Sequence, residues 1–202
     1  MTEYPKCFGV GNEEEKSMQR HGVAFVICVL AVGCVSTPSI SYYTLDMVPV
    51  AEDAPDLNVV VEKMDVSEML ARKDILIRSS ATQVEYYATH QWAASVDELV
   101  QEKLTAILGP RMPDRKTLVV HGVVQDFGQV DVDGGAEASV RLALEFRDAS
   151  ARQYDAPLME KVYVARERAA SASAPEVVRA LSRCVDHIAS EIMIDAQTLA
   201  GL

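Results

Sequence analysis

The stretch TLVVHGVVQDF at residues 117–127, read together with ASVRLALEF at residues 138–146, decides the fold. The first run is dense in valine. The second sets Val140, Leu142, Leu144 and Phe146 against Arg141 and Glu145, the period of two of a half-buried strand. Asp133-Gly134-Gly135 between them supplies residues that tolerate positive φ, so the two runs are expected to fold back on each other as a β-hairpin. Residues 158–166 (LMEKVYVAR) alternate more loosely and are expected to add a third antiparallel strand.

Upstream, residues 41–48 (SYYTLDMV) and 57–66 (LNVVVEKMDV) are rich in β-favouring Tyr, Thr and Val, and the second follows Pro55 and Asp56; both read as strands. Residues 74–80 (DILIRSS) and 83–87 (QVEYY) read as a strand pair joined by a turn. Ser95-Val96-Asp97-Glu98 is a capping box, in which serine and glutamate reach back to N–H groups that lack helical partners. Val96, Leu99, Val100, Leu104, Ile107 and Leu108 then recur at helical spacing until Gly109-Pro110, predicting a helix that lies on the sheet.

A second capping box, Ser173-Ala174-Pro175-Glu176, opens a longer helix reaching about Leu199. Val177, Val178, Leu181, Cys184, Val185, Ile188, Ile192 and Leu199 mark its apolar face, and Arg179, Arg183, Asp186, Glu191 and Asp195 its polar one. Strands, helix, strands, helix: this order predicts an α+β fold, an antiparallel or mixed sheet with two main helices packed on one face.

The start of the chain has a different character. Residues 23–32 (VAFVICVLAV) are uncharged and apolar but far shorter than the roughly 20 residues a membrane-spanning helix needs; that is the length of the apolar part of a signal segment. Ala31-Val32-Gly33-Cys34 follows and resembles the lipobox of bacterial lipoproteins, in which small side chains let a peptidase approach and the cysteine thiol takes a diacylglycerol. Residues 1–33 are therefore expected to be a cleaved signal segment, Cys34 the lipidated and further acylated (palmitate-type) residue, 34–40 a short tether and 41–202 one periplasmic domain. Glu13, Glu14 and Glu15 are out of place in a segment that is normally positive, so translation is expected to start at Met18. Val35, rather than aspartate, points to sorting to the outer membrane.

A formal charge of -11 argues against nucleic acid, whose phosphates need clustered Lys and Arg, and against direct adhesion to an anionic bilayer. Cys7 and Cys28 would leave with the signal segment, and Cys184 has the pattern of a buried small residue, so no structural disulfide is expected. No two of His21, His90, His121 and His187 have the spacing of paired helical metal ligands, so neither a metal nor a cofactor is expected. Gly134-Gly135 is a turn without the lysine of a phosphate loop, no Gly-x-Ser-x-Gly elbow occurs, and no catalytic residue is assigned. Asp131 and Asp133 sit beside the predicted turn and read as solvated. Tyr42, Tyr43, Tyr86, Tyr87 and Trp92 are the candidates for contact with a partner or a lipid chain. Adjacent tyrosines must point to opposite faces of a strand, so one of each pair is expected in the core.

Tyr42-Tyr43-Thr44-Leu45, Val59-Val60-Val61, Met69-Leu70-Ala71-Arg72 ahead of Ile75-Leu76-Ile77-Arg78, Glu85-Tyr86-Tyr87, Trp92 and the helix from Val96 to Leu108 follow one another in an order that resembles the ABC-type transport auxiliary lipoprotein family, the PqiC-like group. The resemblance implies a non-catalytic, outer-membrane component of an envelope lipid-transport system, on the periplasmic face, working with an MCE-domain protein and an inner-membrane permease. It also suggests self-association as a homo-oligomer, since such partners are symmetric. The rival reading from another class is a lipoprotein that activates a cell-wall synthase or binds peptidoglycan.

Overall fold

In the computed structural model, residues 38–47, 57–152 and 155–201 are described; Cys34, the signal segment, Met18 and Val35 lie outside them. The hairpin is the spine of the molecule. Lys116–Val132 and Gly135–Asp148 pair antiparallel along almost their whole length, with Val132 opposite Gly135. The turn is Asp133-Gly134, and Gly134 takes φ 77°, a left-handed conformation that costs glycine nothing. In chain order the strands are β1 (Ser41–Tyr43), β2 (Leu57–Val61), β3 (Asp65–Val66), β4 (Asp74–Arg78), β5 (Val84–Trp92), β6 (Lys116–Val132), β7 (Gly135–Asp148) and β8 (Met159–Arg168). The helices are α1 (Val96–Leu108) and α2 (Ala174–Ala200), with a single 3-10 turn at Glu68–Leu70.

The eight strands form one open mixed sheet in the order β1-β5-β4-β6-β7-β8. Along its other side β6 takes three partners in succession, all parallel: β2 beside residues 116–120, β3 beside 123–124 and β4 beside 128–130. A bulge between Val124 and Asp126 makes this economical. Up to Val124 the even-numbered residues Leu118, Val120 and Val124 are buried, and beyond it Phe127 and Gln129 are. One extra residue reverses which parity faces the core.

Both helices pack on the same face. Helix α2 lies on β7, β8 and β6, while α1 packs against α2 and the short parallel strands β2 and β3. Every apolar position of α2 named from the sequence up to Ile192 is buried, and Leu199 is packed partly against the core. At about 1.5–3 kcal/mol for each large side chain fully buried, this face is what holds the helix to the sheet.

Four expectations change. The first strand stops at Tyr43, because Leu45 turns inward to 1% exposure. The 57–66 run is broken at Glu62, Lys63 and Met64, with Met64 wholly buried. Strand β5 runs on to Trp92, since Gln91 pairs with Asp74 after a register shift. The box at Ser95 forms, with Ser95 N donating to Glu98 Oε2 at 3.3 Å. The box at Ser173 does not: its hydroxyl meets Ser171 Oγ at 3.0 Å, and Glu176 is drawn to Arg179 at 3.0 Å.

Candidate functional site

Strand β1 lies at one edge of the sheet, parallel to β5, with Ser41, Tyr42 and Tyr43 opposite His90, Gln91 and Trp92. The period of two divides the neighbouring tyrosines. Tyr43 turns toward the helix-covered side, where its hydroxyl meets His90 Nδ1 at 2.9 Å. The His90 ring stands edge-on to Tyr87, centroids 5.3 Å apart. The Tyr87 hydroxyl donates to Gln129 Oε1 at 2.5 Å and lies 3.1 Å from Ala172 O, and Gln129 Nε2 donates to Asp131 Oδ1 at 2.6 Å. Burial first, then the charge of Asp131, holds the Tyr87 hydroxyl above the usual tyrosine range, so it stays a neutral donor. Asp131 is thus bonded within this chain of contacts rather than merely solvated.

Tyr42 turns the other way and is 63% exposed. Its neighbour across the ladder, Gln91, donates to Asp74 Oδ1 at 2.9 Å. Asp74 Oδ2 accepts from Arg72 at 3.0 Å, and the Arg72 guanidinium lies 4.3 Å from the centroid of the Tyr86 ring. The Tyr86 hydroxyl donates to Met69 O at 3.1 Å, and Met69 is 40% exposed. Stacking of arginine over an aromatic ring contributes roughly 0.5–1 kcal/mol at an exposed site. Here it also fixes the direction of both side chains. The result is a pre-positioned surface of aromatic, cationic and thioether groups, of the composition enriched in protein interfaces.

Of the five aromatic candidates, Trp92 is corrected to a core residue. It is 1% exposed and packs on Phe127, with centroids 5.4 Å apart, because its place at the end of β5 on the helix side leaves no solvent face. Tyr43, Tyr86 and Tyr87 have hydroxyls bound internally; Tyr42 makes no such bond among the described residues. The sequence alone did not single out Arg72, Asp74, His90 and Gln91 as parts of this edge, since their contacts depend on the register of β4 and β5.

A second concavity, about 480 Å³, opens on the uncovered face between Glu62, Val119, His121, Arg147 and Arg152. Glu145 holds it together from one side, 3.3 Å from His121 Nε2 and 3.2 Å from Arg147 Nη2. His121 Nδ1 is buried without a hydrogen-bond partner among the described residues. Acids and bases alternate around this hollow, so it presents no net sign of charge to a ligand. Among the described residues, no three His, Cys, Asp or Glu side chains converge as metal ligands.

An open mixed sheet with one face covered by two helices defines a small domain of the α+β class. The chain matches the ABC-type transport auxiliary lipoprotein component family over residues 43–193, and belongs to it. It is accordingly an auxiliary component of an ABC-type transport system, from a family of membrane-anchored lipoproteins. Two crystal structures share the fold. One, of a Xanthomonas campestris protein, is 13% identical with a TM-score of 0.62, covering 79% of this chain and 95% of its own. The other, of an uncharacterized protein, is 17% identical with a TM-score of 0.60, covering 78% of this chain and 99% of its own. No curated protein matches the sequence. Among the described residues, no helix is long and apolar enough to cross a membrane.

Proposed function

We propose that the protein is a non-catalytic component of an envelope lipid-transport system, anchored in the outer membrane through acylated Cys34, and that the Tyr42 edge docks the end of a periplasm-spanning MCE-domain partner. The partner in turn meets an inner-membrane permease. The observation that carries this reading is the exposed Tyr42 on a surface pre-set by Arg72 and Tyr86. Its place in the chain adds to it: Ser41 follows Cys34 so closely that an extended tether spans at most about 25 Å. The aromatic edge therefore works close to the leaflet that the lipid enters. Lipidation supplies the membrane affinity that an acidic surface does not.

The test is affinity purification of the tagged protein from detergent-solubilised envelopes, beside Cys34→Ala and a Tyr42→Ser, Arg72→Glu double variant. The expected result is an MCE-domain protein captured by the wild type and lost, with folding intact, from the double variant. A cell-wall synthase captured without any MCE-domain protein would overturn the reading and favour a role in cell-wall assembly.

A further inference from the structure

The hollow on the uncovered face is bounded by two fixed stretches of backbone. On one side Glu62 N donates to Val120 O at 2.9 Å, which carries the β2 ladder one residue past its end and holds Glu62 beside β6. On the other, Asp155 ties down the loop that follows β7. Its carboxylate accepts from Arg152 N at 2.8 Å, and its carbonyl accepts from Arg147 Nη1 at 2.6 Å. His121 stands between them on β6, turned away from the helices because the residues of even number before the bulge are the ones that face the core.

Three groups around this space are uncommitted. Neither the Glu62 carboxylate nor the Arg152 guanidinium has a hydrogen bond or ion pair among the described residues, although both line the hollow. His121 Nδ1 is buried and has no partner either. The other ring nitrogen faces Glu145 at 3.3 Å. A carboxylate only accepts, so in the neutral ring Nε2 carries the proton and Nδ1 is left as an acceptor. A buried polar atom in that state marks the place of a bound water, ion or ligand atom.

We infer that the hollow binds a small zwitterion that joins an ammonium to a phosphate ester, the chemistry of phosphoethanolamine. An ammonium has donors only: Glu62 supplies the opposite charge and His121 Nδ1 a second acceptor. A phosphate ester only accepts: Arg152, with Arg147 beside it, offers planar forks of N–H donors that match its oxygens. Glu62 and Arg152 form no ion pair with each other, so the ligand has to hold its two charges apart. One carbon separates the charges of an α-amino acid, whereas two carbons and an ester oxygen separate those of phosphoethanolamine. The volume of about 480 Å³ falls within the roughly 300–1,000 Å³ usual for small-molecule sites. From His121 to Gly128, where β4 joins, is about 23 Å along β6. The site is therefore remote from the Tyr42 edge, and the inference stands independently of what docks there.

The experiment is isothermal titration calorimetry on the full chain in detergent, with glycerophosphoethanolamine as the probe. Saturable binding is expected, about tenfold or more tighter than that of glycerophosphate or of ethanolamine alone. Glycerophosphocholine, whose methylated nitrogen has no N–H for Glu62 or His121, is expected to bind more weakly by a similar factor. Glu62→Gln and Arg152→Gln each remove one charge from an exposed position. Each is expected to weaken binding about tenfold or more with an unchanged circular dichroism spectrum. Phosphatidylethanolamine added to the micelles displaces the probe if the natural source is a lipid headgroup and leaves it bound if the source is a free ester, with phosphatidylcholine as the control. No saturable binding, equal binding of glycerophosphate, or an affinity unchanged in either variant overturns the inference.

Discussion

Lys103 Nζ lies 2.6 Å from Asp186 Oδ1 and 2.5 Å from Asp46 O, with the lysine side chain wholly buried and the aspartate 41% exposed. One ammonium thus joins α1 to α2 and to the chain that follows β1, which is also tied by Asp46 N to Ser182 Oγ at 3.0 Å. Because Asp186 keeps its access to water, removing the lysine strands no buried charge. It leaves a cavity and an unpaired carbonyl. Lys103→Ala is expected to cost about 2–4 kcal/mol in denaturant unfolding, and Lys103→Met, which refills the volume, no more than about half of that. Equal losses for the two variants would show that the charge, not the packing, is what matters.

Asp195 and Tyr163, bonded to each other toward the C-terminal end of α2, each link stability to pH. Burial alone would raise the Asp195 carboxyl, but hydrogen bonds from Lys161 and from the Tyr163 hydroxyl, each 2.6 Å, hold it below the usual carboxylate range. A depressed carboxyl stabilises the fold above its unfolded pKa, about 4, and the gain is lost as pH falls through the folded value. Burial, then the Asp195 carboxylate, holds Tyr163 far above the ordinary tyrosine range. Its contribution is complete below about pH 10 and declines above it. Melting temperature against pH is expected to lose part of its acid slope in Asp195→Asn and part of its alkaline slope in Tyr163→Phe. Tyr163→Phe should also cost about 1.5–3 kcal/mol at neutral pH, the worth of a bond to a charged group.

Cys184 is buried against the sheet, its Sγ 3.9 Å from Ala138 O. Burial first, and behind it the Glu167 carboxylate, pushes the thiol up to about 12. Since the thiolate is the reactive form, a thiol reagent at neutral pH is expected to label Cys184 only at the rate of unfolding. Labelling of the native protein as fast as a free thiol would contradict this.

A Cβ at Gly122 on β6 would stand 2.0 Å from Ala143 O on β7. At Gly128 it would stand 2.6 Å from Leu76 O. Both obstacles are backbone and cannot rotate away. Gly122→Ala is expected to destabilise by about 3 kcal/mol or more, and Gly128→Ala by somewhat less, because the β4 junction it disturbs is short. Urea denaturation midpoints of the two variants check the order.

Local pattern by itself determined a good deal. The β6–β7 hairpin, the glycine at its turn, the third antiparallel strand, the capping box at Ser95 and the buried face of α2 all follow from periods of two and 3.6 and from turn chemistry, which act between residues near in sequence. The order of short motifs from Tyr42 to Leu108 pointed to the family. Tertiary structure decided the rest. The parallel placement of β2, β3 and β4 along one side of β6, and the bulge that reverses parity after Val124, depend on pairing between distant segments, which leaves no local period. So do the burial of Trp92, the arginine-tyrosine contact that sets up the Tyr42 edge, and the buried Lys103 in an otherwise apolar helix face. Each is a contact whose energy arises only once the sheet order has brought the two partners together.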